Sequence, residues 1–339
     1  MSPDTMTTAS ARTKHRPRFR RAARDERPAF RLTERDREML KIIFDYRFMT
    51  AAMLQDLVSP VVLTKHQQDA IDKLRAYKQA NASDRRGTEG GQTKTRREIL
   101  RRLQMLYHAG YVQRQKLADG EPIIYSLGNA GADELTLYYG IDRKQIEWTT
   151  KARESTERYI YHGLVISRFR HALELAVRDE PHAAVESWIP SGGFSAPVTY
   201  QDAVRTRDGT RTELVHSVVK PDGLFVLKVG DKRIHCFFEA DRSSMSNARY
   251  LAKLKSHFAF YQTYVRGAKK AGITQMRVLT VTISEARKEN LRETAQQVST
   301  EAKDLFWFAC ERTYAGTPEA VVRPIWQTLK DDTLRSLIA

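Results

Sequence analysis

Two strand-like apolar runs in the second half of the chain each carry carboxylates at one end. Asp222 precedes the run Gly223–Val226, and Glu239 and Asp241 end the next run along the chain. The turn Gly230–Lys232 separates the two runs, which predicts that they are neighbouring antiparallel strands. Carboxylates brought together at strand ends repel unless a cation or a proton lies between them. The spacing therefore predicts an acidic cluster that could bind Mg²⁺ or Mn²⁺.

This pattern resembles the core of the PD-(D/E)xK metal-dependent nucleases. The resemblance implies that Asp222 and Glu239 are the metal ligands of an active site, joined by Asp241 only if the site is live, and that a lysine two positions after Glu239 orients the attacking water. Asp241 occupies that lysine position, so the cation is missing unless Lys253 or Lys255 from the following helix replaces it. We therefore expect nuclease activity to be absent or vestigial, with no certain cofactor. The alternative is a Mg²⁺- or Mn²⁺-dependent DNA endonuclease or nickase that uses Asp222, Glu239, Asp241 and Lys253.

The charge of the chain is segregated between its two halves. The formal net charge is +16, and residues 1–116 hold 26 Lys and Arg against 13 Asp and Glu, whereas residues 117–339 hold 31 against 28. Because Lys and Arg displace counterions from phosphates, a basic half indicates binding to nucleic acid, here double-stranded DNA. No apolar run approaches the ~20 residues of a membrane span, and no amphipathic Lys-rich helix indicates a membrane surface.

The two cysteines, Cys236 and Cys310, both lie in apolar strand-like segments. They form neither a CxxC pair nor a disulfide pattern, and a free cysteine packs as a small apolar residue. We therefore expect two reduced core cysteines and a cytoplasmic protein.

Residues 32–140 show the pattern of a winged helix-turn-helix domain. Three helices are predicted, beginning at Thr33, Thr50 and Thr95. A β-hairpin follows at 111–127. In winged-helix proteins the third helix enters the major groove and the hairpin, or wing, touches the DNA backbone. The residues predicted to bind DNA are Arg96, Arg97, Arg101, Arg102 and Gln104 on the third helix, and Arg114 and Lys116 on the wing.

Two further segments flank this domain, and a third is inserted into it. Residues 1–31 hold nine Lys and Arg between Arg12 and Arg31 and almost no apolar residues, which predicts a disordered basic arm. Residues 59–94 are an insertion between the second and third helices, and their role is left open. The polar residues 141–155 are predicted to link two domains.

Residues 156–339 change to an α/β pattern. The predicted elements are a helix at 157–178, strands at 184–189, 215–227 and 233–240, a helix at 246–266, a strand at 276–283, a helix at 285–297 and a strand at 305–310. Residues 191–213 are predicted to be a surface insertion. The order αβββαβ is that of restriction-endonuclease-like proteins. The predicted fold class is thus α/β, with an N-terminal winged helix-turn-helix followed by a restriction-endonuclease-like domain.

The chain as a whole resembles the replication-relaxation family of plasmid and mobile-element proteins. The residues that carry the resemblance are Arg101–Arg114, Tyr125–Leu127, His162, Lys220–Gly223, Phe238–Ser243, Lys253 and Tyr261. The resemblance implies a DNA-binding accessory protein of plasmid replication or conjugative mobilisation, with a relaxase or replication initiator as partner. A homodimer is left open. A transcriptional regulator with a C-terminal oligomerisation or sensor domain is the remaining alternative.

Overall fold

The computed structural model divides into two compact units, Met1–Glu157 and Arg158–Ala339. The residues that it describes are 20–22, 30–58, 90–146, 156–206, 209–243, 245–267 and 272–339. Most of the predicted basic arm (1–31), insertion (59–94) and linker (141–155) lies outside the described residues. Within the described ranges, no helix is long and apolar enough to cross a membrane.

The described part of the first unit combines helices with a small antiparallel sheet. Its helices are α1 (Glu34–Tyr46), α2 (Ala51–Leu57), α3 (Gly90–His108) and α4 (Asn129–Tyr139). Its strands are β1 (Met49–Thr50), β2 (Val112–Gln115) and β3 (Ile124–Leu127), in the order β1-β3-β2. The predicted helices and hairpin are present. However, α3 begins at Gly90 instead of Thr95, and β1, which pairs with β3, was not predicted.

Side-chain caps and one glycine set the ends of these helices. The Thr33 hydroxyl accepts a hydrogen bond from the Asp36 N–H at 3.3 Å, and the Asp36 carboxylate accepts one from the Thr33 N–H at 2.7 Å. This reciprocal pair is a capping box, and it fixes the start of α1. At the end of α3, Gly110 has a φ of +89°. That left-handed conformation favours glycine and turns the chain from the helix into β2.

The core of the first unit follows the helical spacing of its apolar residues. Leu40 and Ile43 of α1 and Leu103 and Leu106 of α3 are fully buried, and they pack in one cluster with Leu127 of β3. Residues three or four apart lie on one face of a helix, so the opposite face of α3 is left to its polar residues and the exposed Leu100.

The second unit is built around a mixed five-stranded sheet. Its helices are α5 (Glu157–Arg178), α6 (Asn247–Phe260) and α7 (Glu285–Ala295). The sheet contains β4 (Ala183–Pro190), β7 (Gly223–Val229), β8 (Lys232–Asp241), β9 (Gln275–Thr282) and β10 (Phe306–Cys310), in the order β10-β9-β8-β7-β4. Strands β4, β7 and β8 are antiparallel, whereas β9 and β10 run parallel to β8. A single π-helical turn, Tyr261–Arg266, extends α6.

One prediction about this unit was wrong, because 215–227 is not one strand. Residues 191–213, predicted to be a surface insertion, contain regular strands. Strands β5 (Ala196–Thr206) and β6 (Gly209–Val219) form a separate two-stranded ribbon, paired from Ala196 opposite Val219 to Thr206 opposite Gly209. Pro221 lacks the N–H that a strand interior needs, so the chain leaves the ribbon before it and enters the main sheet at Gly223.

The side chains of β8 alternate between the two faces of the sheet. Phe238 packs in the cluster that includes Phe169 of α5, and the two rings stack 4.1 Å apart. Phe237 packs in the other cluster, with Leu254 of α6. Because successive side chains of a strand point to opposite faces, Glu239 shares the face of Phe237 and lies toward α6.

Candidate functional site

The backbone places Asp222 beside the end of β8. The Asp222 N–H donates to the carbonyl oxygen of Phe238 at 2.9 Å, and the Ala240 N–H donates to Asp222 Oδ2 at 2.9 Å. These bonds continue the pairing of Gly223 with Phe238 by one residue. The predicted meeting of the two strand ends is therefore confirmed, and Asp222 is fixed through both its backbone N–H and its carboxylate.

Glu239 is a buried carboxylate that faces two side chains of α6. Lys253 Nζ donates to Glu239 Oε2, and His257 Nε2 lies 2.6 Å from Glu239 Oε1. Lys253 and His257 are four residues apart, which puts them on the same face of the helix, one turn from each other. Both oxygens of Glu239 are thus engaged by α6.

Lys253 reaches the second carboxylate as well. Its Nζ lies 3.9 Å from Asp222 Oδ2, so one ammonium contacts the carboxylates of both strands. Burial alone would lower the pKa of Lys253, but the charges of Glu239 and Asp222 outweigh it and raise that pKa. Lys253 is therefore a cation at neutral pH.

His162 of α5 completes the surroundings of Asp222. Its Nε2 lies 3.2 Å from Asp222 Oδ1. Burial opposes ionisation of Asp222, but the charge of Lys253, the hydrogen bond from His162 and the Ala240 N–H lower the pKa of Asp222 to about 2. For His162 itself, the opposing effect of burial is outweighed by the bond to Asp222, and its pKa is raised. Asp222 is thus ionised throughout the physiological range.

Asp241 lies on the same strand face but is held by α7. Arg287 binds it in a bidentate manner, with Nε 2.9 Å from Oδ2 and Nη2 3.1 Å from Oδ1. The Thr282 hydroxyl and the Ser243 N–H also donate to Oδ2. Arg287 further donates to Asn247, Asn290 and the carbonyl oxygen of Met245. The predicted third acid of the cluster therefore has a partner set of its own.

As arranged here, the side chains at these acids do not form a ligand set for a divalent cation. Among the described residues, no group of three or more His, Cys, Asp or Glu side chains could hold a metal ion. The oxygens of Asp222 and Glu239 are already bound by Lys253, His162, His257 and the Ala240 N–H.

Sequence reasoning missed two members of the site, Arg287 and His257. His257 is detectable only as the residue one turn after Lys253, and Arg287 is separated from Asp241 by 46 positions. Lys255, the other lysine considered, points elsewhere and pairs with Asp202.

In the first unit, α3 presents a row of polar side chains opposite its buried apolar row. Arg96, Arg97, Arg101 and Gln104 are exposed, whereas Ile99, Leu103 and Leu106 are buried. Arg102 is different, because its guanidinium binds the buried carboxylate of Asp36 and the carbonyl oxygen of Arg31. On the hairpin, the Arg114 guanidinium lies 5.2 Å from the centre of the Tyr107 ring, and Lys116 pairs with Asp119 at 3.1 Å.

A comparison with known protein families identifies the family of this chain. The family model described as replication-relaxation matches residues 85–276, which is more than half of the 339 residues. The chain belongs to the replication-relaxation family. No curated protein and no solved structure matched it.

The replication-relaxation match extends across both units. It contains α3 and the hairpin of the first unit, and it contains Asp222, Glu239 and Lys253 of the second. The match ends at residue 276, at the start of β9, so Arg287 lies beyond it.

Proposed function

We propose that this protein is a DNA-binding accessory protein of plasmid or mobile-element replication or mobilisation. In this proposal the first unit is a winged helix-turn-helix domain, α3 is its recognition helix, and the β2–β3 hairpin is its wing. The observation that carries the proposal is the exposed row Arg96, Arg97, Arg101 and Gln104 on α3. The family to which the chain belongs supports a role in replication or mobilisation.

The geometry of α3 suits a helix that enters the major groove. Its buried side anchors it in the core through Ile99, Leu103 and Leu106. On the other side, Arg97 and Arg101 are four residues apart and project together. Arginine binds phosphate and the edge of guanine through paired N–H groups, so these side chains can both position the protein and read sequence.

Arg102 and the hairpin residues have different parts in this proposal. Arg102 ties α3 to α1 through Asp36 and positions the helix. Arg114 and Lys116 lie on the wing, where contacts to the DNA backbone are expected. The basic arm of residues 1–31 would add further phosphate contacts. A relaxase or replication initiator remains the proposed protein partner.

For the second unit we propose a degenerate PD-(D/E)xK-like domain. The order of α5, the antiparallel strands β4, β7 and β8, α6 and the parallel strand β9 supports this relationship. Asp222 and Glu239 occupy the positions of the two acids, and Asp241 replaces the lysine. The engaged oxygens of both acids support loss of the nuclease activity.

A metal-dependent nuclease is the second candidate, and one observation favours it. Lys253 from α6 contacts both Asp222 and Glu239, as a displaced catalytic lysine would. The distinguishing experiment is incubation of supercoiled plasmid DNA with the full chain and Mg²⁺ or Mn²⁺. Nicking that disappears in Glu239→Ala would establish the nuclease. Intact plasmid at all metal concentrations supports the accessory protein.

DNA binding is tested by charge reversal on α3. We expect Arg97→Glu/Arg101→Glu to weaken binding to duplex DNA at least about tenfold and to flatten its salt dependence, because two counterion-releasing contacts become repulsive. The control is Arg211→Glu/Arg266→Glu in the second unit. It changes the net charge equally at two exposed positions. Equal weakening by both variants would show that only total charge matters, and undiminished binding by the first would refute the placement of the recognition helix.

A footprint of the bound DNA distinguishes the accessory protein from the remaining alternative, a transcriptional regulator. Protection of two symmetric half-sites in one operator would indicate a homodimeric transcriptional regulator. Protection of an asymmetric plasmid origin favours the accessory protein.

A further inference from the structure

Lys253 lies where its charge reduces the repulsion between two carboxylates of the second unit. Asp222 and Glu239 come from neighbouring strands, and their carboxylates would repel each other without a cation between them. Lys253 Nζ contacts Glu239 Oε2 and lies 3.9 Å from Asp222 Oδ2. One ammonium thus lies between two acids between which a nuclease would hold a metal ion.

The remaining oxygens of the pair are also occupied. His162 Nε2 lies 3.2 Å from Asp222 Oδ1, and His257 Nε2 lies 2.6 Å from Glu239 Oε1. His257 is fully buried, and its Nδ1 has no hydrogen-bond partner among the described residues. Both oxygens of Glu239 are thus engaged from α6, and Lys253 is the one of these two side chains that also reaches Asp222.

We propose that Lys253 is the resident cation of this site, a tethered ammonium at the place that a divalent ion would take between Asp222 and Glu239. The site is closed to divalent cations as long as the ammonium is present. Removing the ammonium leaves the two carboxyl groups side by side without their shared cation and converts the pair into a divalent-cation site. This inference concerns the second unit alone, so the result of its test does not depend on whether the first unit binds DNA.

The same helix supplies a matched control. Lys255 lies two residues after Lys253 and forms an ion pair of its own, but it contacts a single carboxylate, that of Asp202. Lys255→Met therefore removes a salt-bridged lysine from α6 without leaving two carboxylates unneutralised. Both lysines are of similar exposure, 25% and 21% of the side chain.

The experiment measures Mn²⁺ binding by electron paramagnetic resonance and thermal melting of the full chain. Wild type is expected to bind no stoichiometric Mn²⁺ and to melt at the same temperature in EDTA and in Mn²⁺. In EDTA, Lys253→Met is expected to have a lower melting temperature than wild type. In Mn²⁺ it is expected to bind one ion, and its melting temperature should rise by about 3 °C or more, because a ligand that binds only the folded state stabilises it. Lys255→Met should gain no Mn²⁺ site. Asp222→Asn/Lys253→Met should bind no Mn²⁺, and Mn²⁺ should not raise its melting temperature.

Three outcomes would overturn the inference. One is a Mn²⁺ ion bound by wild type and lost in Glu239→Gln, which would show an open metal site beside Lys253. Another is a folded Lys253→Met chain that binds no Mn²⁺. The third is a Lys253→Met chain that folds neither with nor without Mn²⁺, because a divalent ion would then be unable to replace the ammonium.

Discussion

Replacing Asp222 by asparagine tests the electrostatics of the site in isolation. Asparagine keeps the size of the side chain and can still accept the hydrogen bond from the Ala240 N–H, but it carries no charge for Lys253 or His162. The pKa of Asp222 is lowered from 3.8 to about 2. One pKa unit corresponds to about 1.4 kcal/mol, so the ionised carboxylate contributes about 2 kcal/mol to the stability of the folded state. We expect Asp222→Asn to lower the free energy of unfolding by about this amount at pH 7.

The pH dependence of that difference has a defined sign. A carboxyl whose pKa is lowered on folding stabilises the protein above its unfolded pKa and loses that contribution as the pH falls through its folded pKa. The gap between wild type and Asp222→Asn should therefore shrink from about 2 kcal/mol at pH 7 to about 1 kcal/mol at pH 3, and it should nearly vanish below pH 2. Other carboxyls titrate in both chains and cancel in this difference, whereas His162, whose pKa Asp222 raises, does not cancel.

Urea unfolding followed by tryptophan fluorescence measures this gap. Three of the four tryptophans, Trp188, Trp307 and Trp326, lie in the second unit, and the Trp188 ring stacks on Phe225 of β7 at 5.2 Å. The control is Asp331→Asn in the same unit, where a backbone hydrogen bond from Thr333 lowers the pKa of an exposed carboxyl. That variant should change stability much less. If the difference in free energy of unfolding between wild type and Asp222→Asn stays constant from pH 7 to pH 3, the electrostatic account is refuted. The loss of stability would then come from changed shape or packing.

Two further predictions concern arginines that neutralise buried acids. Arg102→Ala should destabilise the first unit by about 3 kcal/mol, because it leaves the buried Asp36 carboxylate without its cation. Circular dichroism during urea unfolding measures the loss, which Asp36→Ala/Arg102→Ala should partly restore. Arg287→Met should likewise cost the second unit about 3 kcal/mol, measured by tryptophan fluorescence, because Asp241 is buried. A loss under about 1 kcal/mol in either variant would contradict its assigned role.

The sequence was sufficient to place the two acids of the central strands. The turn at Gly230–Lys232 and the apolar runs beside it predict an antiparallel pair, and the observed register sets Gly223 opposite Phe238. This information is local, because a short turn fixes the pairing of the strands that it joins. The positions of Asp222 and Glu239 follow from it.

The partners of these acids could not be predicted in the same way. Arg287 lies 46 positions from Asp241, and only the parallel pairing of β9 with β8 brings α7 to the end of β8. The ribbon β5–β6 was missed for a different reason. Its strands are rich in Thr and polar residues because β5 and β6 pair only with each other and leave one face exposed, so no continuous apolar run marks them.

The motif Glu239–Ala240–Asp241 shows why spacing alone does not define a site. Both acids point to the same face of β8, yet Glu239 is neutralised by Lys253 of α6 and Asp241 by Arg287 of α7. An acid in place of the lysine of a nuclease motif would add negative charge to a metal site only if it remained free of a cation. Here the added charge is balanced by its own bidentate arginine. The substitution therefore leaves Lys253 as the ammonium that contacts both Asp222 and Glu239.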